Sequence, residues 1–188
     1  MSRQLWVELL AKQNGAGTLF NTYTTSKTVI NADALWTMPA NYLDVGRRFL
    51  LSIQGGISNI VTTPGTITCE VKVGSVIAFT TGAMQLSTTA HTTIPFWLDI
   101  YLTCRAIGNS TTANFMGQAL MQSQTVNATA VADGTQTHTT LLAPNTAPAV
   151  GTGFDSTVAN IWDFWTGFSI NNAGNGIQIQ QYALYALN

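Results

Sequence analysis

Apolar and polar residues alternate with a period of two in short runs along this chain, and clusters of Gly, Pro, Asn, Ser and Thr separate the runs. Such alternation is the pattern of antiparallel sheets with one buried face. In the clearest run the even positions hold Ile94, Phe96, Leu98, Ile100, Leu102 and Cys104, and the odd positions hold Pro95, Trp97, Asp99, Tyr101, Thr103 and Arg105. It predicts a long strand with its even residues inward. Ile67, Cys69, Val71 and Val73 mark a second strand in the same way, so both cysteines are expected inside. Further strands are predicted over residues 18–25, 47–57, 75–81, 112–122, 136–142, 160–170 and 176–187. In the last of these, Ile177 and Ile179 share one parity while Tyr182, Leu184 and Ala186 share the other, which requires an extra residue, a β-bulge, near Gln180 and Gln181.

Helical periodicity is nearly absent. Residues 1–12 read either as a short helix, aligning Leu5, Leu9 and the aliphatic part of Lys12, or as an extended arm. Residues 123–153, rich in Thr, Ala and Pro, read as a long connection that crosses between sheets or lies on the surface. The expected fold is all-β: an antiparallel β-sandwich of the jelly-roll type seen in tumour-necrosis-factor-like and viral proteins, with about eight to nine strands and little or no helix. Residues 1–15 are expected to form an N-terminal arm, and residues 16–188 a single domain.

Composition sharpens this picture. The 188 residues are 46% hydrophobic but only 8% charged, where an ordinary soluble domain carries about 25% charged residues. Thr, Ser, Asn and Gln take the place of the missing charges, so the surface is expected to be polar and nearly neutral. Seven basic against eight acidic residues leave a net charge of −1, and no basic run exceeds the pair Arg47-Arg48. That excludes an electrostatic footprint for nucleic acid. No apolar stretch approaches a membrane span, and the stretch from Leu5 to Leu10, broken by Glu8, is too short for a signal peptide. The separation of Cys69 and Cys104 matches no zinc or redox motif, so reduced, buried thiols are expected.

Candidate chemistry is sparse. His91 and His138 have no flanking Asp, Glu or Cys at ligand spacing, and the acidic residues form no calcium-loop pattern, so no metal or cofactor is expected. There is no Gly-x-Ser-x-Gly elbow and no phosphate-cradling glycine loop. Asp155 and Asp163 are the nearest late pair of carboxylates, but turn capping accounts for Asp155. No catalytic residue is assigned, and an enzyme is not expected. Asn109 and Asn127 head formal glycosylation sequons that a chain so rich in Thr and Asn produces by chance. The aromatics are more informative. Trp97 and Tyr101 have the outer parity of their strand, and between residues 161 and 170 Trp165 opposes Trp162, Phe164 and Phe168. Either another part of the chain covers these outer rings or they form a subunit interface, where Trp and Tyr are enriched.

At Leu35-Trp36-Thr37-Met38-Pro39-Ala40-Asn41-Tyr42-Leu43-Asp44-Val45-Gly46 the chain resembles a family of jelly-roll virion proteins of tailed bacteriophages. Further pieces follow in order: Glu70-Val71-Lys72-Val73-Gly74-Ser75 with Thr81-Gly82-Ala83, Leu102-Thr103-Cys104-Arg105-Ala106-Ile107-Gly108 with Gly117-Gln118, and Phe154-Asp155-Ser156-Thr157. The resemblance covers residues 18–188, and its elements set the fold: Pro39 fixes φ and ends pairing, Asn41 tolerates turn geometry, and Gly46 allows a tight turn into the next strand. It implies a structural virion protein that decorates or cements the capsid as a homo-oligomer, expected to be a trimer. The implied partners are further copies of itself and the phage major capsid protein, with no nucleic acid and no membrane. The implied location is the outer surface of the head, after synthesis in the host cytoplasm. Candidate subunit or capsid interface residues are Leu5, Trp6, Leu9, Trp97, Tyr101 and Trp165. The alternative is a tail-fibre or receptor-binding module recognising a host surface glycan. A cytokine-like or collectin-like trimer would share the fold but is expected to carry a signal peptide.

Overall fold

The computed structural model describes residues 7–60, 62–127 and 140–187. In chain order the strands are β1 (Val7–Lys12), β2 (Phe20–Asn21), β3 (Lys27–Thr28), β4 (Trp36–Met38), β5 (Arg48–Asn59), β6 (Thr66–Val73), β7 (Val76–Leu86), β8 (His91–Ala106), β9 (Asn114–Ser123), β10 (Val126–Asn127), β11 (Thr140–Ala143), β12 (Asn160–Phe168) and β13 (Gly176–Leu187), with one 3₁₀ turn at Ala32–Ala34. They form two antiparallel sheets. Sheet A runs β1-β13-β5-β8-β9-β11, with β2 also on β13, and sheet B runs β10-β7-β6-β12-β3, with β4 also on β12. The last two strands therefore insert between early and middle ones, β13 between β1 and β5, and β12 between β4 and β6. That interleaving makes the sandwich a jelly roll.

The alternation read from the sequence becomes the core. On sheet A, Phe49, Leu51 and Ile53 of β5, Phe96, Leu98, Ile100, Leu102 and Cys104 of β8, and Ile177, Ile179, Tyr182 and Leu184 of β13 are all buried. The change of parity in β13 is a register shift against β5 between Ile179 and Gln181, which leaves Gln180 as the extra residue of a bulge. Sheet B contributes Ile67, Cys69, Val71, Trp162, Phe164 and Phe168. Where the sheets meet, Trp162 packs 4.8 Å from Phe49 and 5.4 Å from Phe115 between ring centroids, and Phe115 lies 5.2 Å from Phe154. Each such buried ring stabilises the fold by roughly 1.5–3 kcal/mol relative to exposure. Gly117, on the inner face of β9, leaves room for Phe79 of β7, whose ring a Cβ at that position would strike.

Several elements differ from the sequence reading. The strand expected over residues 18–25 is reduced to β2, because Thr22 adopts φ 59° and turns the chain towards sheet B, where β3 pairs with β12. The strand expected to stop at Thr81 runs on to Leu86. Gly82, with φ 66°, does not end it. At this bulge the Cys69 N–H donates to the Thr81 hydroxyl at 3.0 Å, and the hydroxyl donates to the Gly82 carbonyl at 2.9 Å, restoring side by side what the ladder loses. His91, placed in a turn by the sequence, opens β8 opposite Asn59. Of the strand expected over residues 136–142, residues 136–139 lie outside the described residues, and β11 occupies residues 140–143. The long connection does cross between sheets: β10 pairs with β7 in sheet B and β11 with β9 in sheet A. The described part of the N-terminal arm, β1, is extended and pairs with β13 at the edge of sheet A.

Buried asparagines close one end of the sandwich. The Asn175 side chain, fully buried, accepts from the Ile60 N–H at 3.1 Å and donates to the carbonyls of Pro64 at 3.0 Å and Ile170 at 3.3 Å. Asn59 donates to the carbonyls of Ser87, Thr89 and Ile60 and meets His91 Nδ1 at 3.2 Å. Removing either amide strands buried backbone groups, which costs about 1–3 kcal/mol. We expect Asn175→Ala to lower the stability in urea unfolding by that amount while the far-ultraviolet circular dichroism of the folded protein stays unchanged.

Candidate functional site

The outward residues of sheet A form continuous rows across the strands, because antiparallel register sets them side by side. One row runs Val7–Leu187–Arg48–Thr103–Met116, and the next runs Leu9–Tyr185–Leu50–Tyr101–Gln118. A third runs Lys12–Ala183–Ser52–Asp99–Leu120–Leu142, and a fourth Gln181–Gln54–Trp97–Gln122–Thr140. The face is therefore graded from aliphatic and aromatic at one end to carboxamide at the other. Val7, Leu9, Trp97, Tyr101 and Leu142 are large hydrophobic residues exposed on it. The charge at its centre is Asp99, and its carboxylate is already engaged: Oδ1 accepts from the Ser52 hydroxyl at 2.8 Å and from the Trp97 indole N–H at 2.7 Å.

The outer face of sheet B is built differently. There Trp165 stands opposite Glu70, and Asp163 opposite Lys72. Trp165 donates its indole N–H to Asp163 Oδ2 at 2.6 Å, and Lys72 Nζ sits 3.4 Å from its ring centroid. Burial pushes the Asp163 carboxyl above its ordinary range, against the pull of the Thr28 and Trp165 hydrogen bonds and the Lys72 charge. Both outward tryptophans are thus clamped by a carboxylate two residues away on the same strand. Trp165 is also capped by a cation, a contact worth about 0.5–2 kcal/mol, whereas among the described residues no cation caps Trp97.

Of the candidate interface residues, Leu9, Trp97 and Tyr101 are brought together on the outer face of sheet A. Trp165 stands on the opposite sheet, where its own neighbours cover it. Leu5 and Trp6 lie outside the described residues, as does His138. Sequence reading missed Leu50 and Tyr185, which flank Tyr101 and Leu9, and Gln54, Gln122 and Gln181, which flank Trp97. Their outward parity was readable, but which of them stand together depends on inter-strand register.

Several titratable groups have a structural partner or are buried. Burial pushes the Cys69 thiol up to about 12 and also raises that of Cys104. Neither supplies a thiolate at neutral pH. His91 Nδ1 lies 2.8 Å from the Thr89 carbonyl, a partner that calls for a proton on that nitrogen. Asp155 accepts from the Thr157 N–H at 2.8 Å and the Thr157 hydroxyl at 2.6 Å, which hold its carboxyl below the ordinary range as a turn cap. Among the described residues, no three His, Cys, Asp or Glu side chains gather as metal ligands would.

The chain matches no protein-family model and no curated protein. One solved structure similar to it is the CBM2 module of the evolved Dit of Lactobacillus casei BL23 phage J-1, with 11% identity over 99% of this chain and 98% of that one and a TM-score of 0.38. At that distance the likeness adds nothing to what the strand order itself shows.

The raised thiols lead to a direct expectation. Cys69 stays protonated in the fold where the unfolded chain would ionise near its ordinary value of 9.0, so its contribution to stability is whole below pH 9 and is lost as pH rises towards 12. At pH 8 the native protein should resist a thiol-specific disulfide reagent, and both cysteines should react at once when the protein is unfolded in urea.

Proposed function

We propose that the protein is a non-enzymatic structural component of a tailed-phage particle, assembling as a homotrimer through the apolar half of the outer face of sheet A and decorating the outer surface of the head. The observation that carries this reading is the two-row patch of Val7, Leu187, Met116, Leu9, Tyr185, Leu50 and Tyr101 on a sheet whose inner face is already filled. A second copy is the occupant that suits it. The patch is nearly free of charge apart from Arg48 in the middle of its first row, and packing around a threefold axis brings such a surface against further copies of itself. The aromatic residues are the expected anchors. The resemblance to phage jelly-roll virion proteins supports the assignment to the particle.

The N-terminal arm, residues 1–15, fits the same scheme as the segment that docks on the major capsid protein. Its described part, β1, forms the edge of the self-associating sheet, so an arm leaving from there is continuous with the oligomer. Repetition over a symmetric shell then multiplies weak contacts through effective concentration.

Light scattering coupled to size-exclusion chromatography should show a trimer. Tyr101→Glu places a charge at the centre of the patch and should convert it to a monomer with an unchanged circular dichroism spectrum, since desolvating an unpaired carboxylate costs several kcal/mol. A monomeric wild-type protein would overturn the assembly. On purified particles, quantitative mass spectrometry should find the protein in a fixed, high ratio to the major capsid protein, and deletion of residues 1–6, which keeps β1 and its share of the patch, should abolish binding to shells. A few copies confined to the tail, or none, would overturn the head location.

A further inference from the structure

We infer that the carboxamide end of the same face, around Trp97, is a binding site for a neutral pyranose residue of a glycan. Trp97 is 47% exposed, yet its ring is fixed: the indole N–H is held by Asp99, which Ser52 holds in turn. Among the described residues no cation and no other ring lies against it, in contrast to Trp165 under Lys72. A rigid, uncovered indole face offers stacking area at little further cost in rotamer entropy.

What surrounds the ring selects the ligand. Gln54 and Gln122 flank Trp97 directly, and Gln181 and Thr140 continue the row on either side. The carboxamides of Gln54, Gln122 and Gln181 make no hydrogen bond among the described residues. Each offers a carbonyl acceptor beside N–H donors, the pairing that two vicinal hydroxyls require. Next to the ring, Pro95 stands opposite Gly56, which the Thr93 side chain covers, and a shallow trough runs past Pro95 and Gln122. Its two adjoining hollows measure about 430 and 410 Å³ and share Pro95 and Gln122. Among the described residues no Lys or Arg lines either hollow, which disfavours an acidic sugar, and an apolar peptide would leave the free carboxamides desolvated without partners. An aromatic plate ringed by unpaired carboxamides suits the apolar C–H face and hydroxyl rim of an uncharged sugar.

The site lies on a different row from the self-associating patch, so the two readings fail separately. The test is saturation-transfer-difference NMR on the full chain with soluble hexasaccharides of glucose, galactose, mannose and N-acetylglucosamine. We expect transfer to the ring C–H protons of at least one of them. Trp97→Ala should weaken that binding roughly ten-fold or more, the equivalent of one lost stacking contact. Gln122→Ala should weaken it several-fold and Trp165→Ala should leave it intact, with circular dichroism confirming that each variant is folded. No transfer from any of the four, or transfer that Trp97→Ala leaves unchanged, would overturn the inference. Light scattering of Trp97→Ala should still report the wild-type oligomer, which separates loss of the sugar site from loss of assembly.

Discussion

The register of β13 on β5 and of β5 on β8 is the constraint from which the rest of the molecule follows. Side chains alternate strictly along a strand, so a slip of one residue would exchange the whole inner set with the outer one. Here Tyr182–Ile53–Leu98 and Leu184–Leu51–Ile100 stack inward. The same pairing places Tyr185–Leu50–Tyr101 and Gln181–Gln54–Trp97 outward. The bulge at Gln180 is part of this constraint: without the extra residue, either Ile177 and Ile179 or Tyr182 and Leu184 would face solvent.

The inner and outer faces answer different demands. Inside, Trp162 and Phe49 join the two sheets, and Gly117 lets Phe79 reach across. Outside, sheet B satisfies itself through Lys72 and Asp163 around Trp165. Sheet A instead leaves the ring faces of Trp97 and Tyr101 without a capping cation or ring, and the carboxamides of Gln54, Gln122 and Gln181 without a hydrogen bond, among the described residues. The proposed assembly places its contacts on the face left open. Low charge suits such a surface, since each buried charge needs a partner to offset its desolvation.

Much of this was legible in the sequence. The parity of residues 94–105 placed Trp97 and Tyr101 outward and Cys104 inward, and the parity change in the last strand located the bulge to within a residue. The loop devices were also readable: Asn41 adopts φ 59° and Gly46 φ 92°, as their residue types suggest. The illegible parts share one cause. β2, β3, β4 and β10 are two or three residues long and are strands only because a neighbour pairs with them, so no period exists to detect. The cap on Trp165 comes from Lys72 on another strand, and the carboxamide row is drawn from residues as far apart as Gln54 and Gln181. Chemistry created by inter-strand register leaves no local pattern.

The most direct test of an open sheet A face is carbene footprinting of the intact protein at low and high concentration, read residue by residue by mass spectrometry. Labelling of Leu9, Leu50, Tyr101 and Tyr185 should fall as concentration rises while Ile161 and Trp165 on sheet B label equally throughout. Protection confined to sheet B, or no change on either face, would contradict the assignment of the outer face of sheet A as the surface through which this protein works.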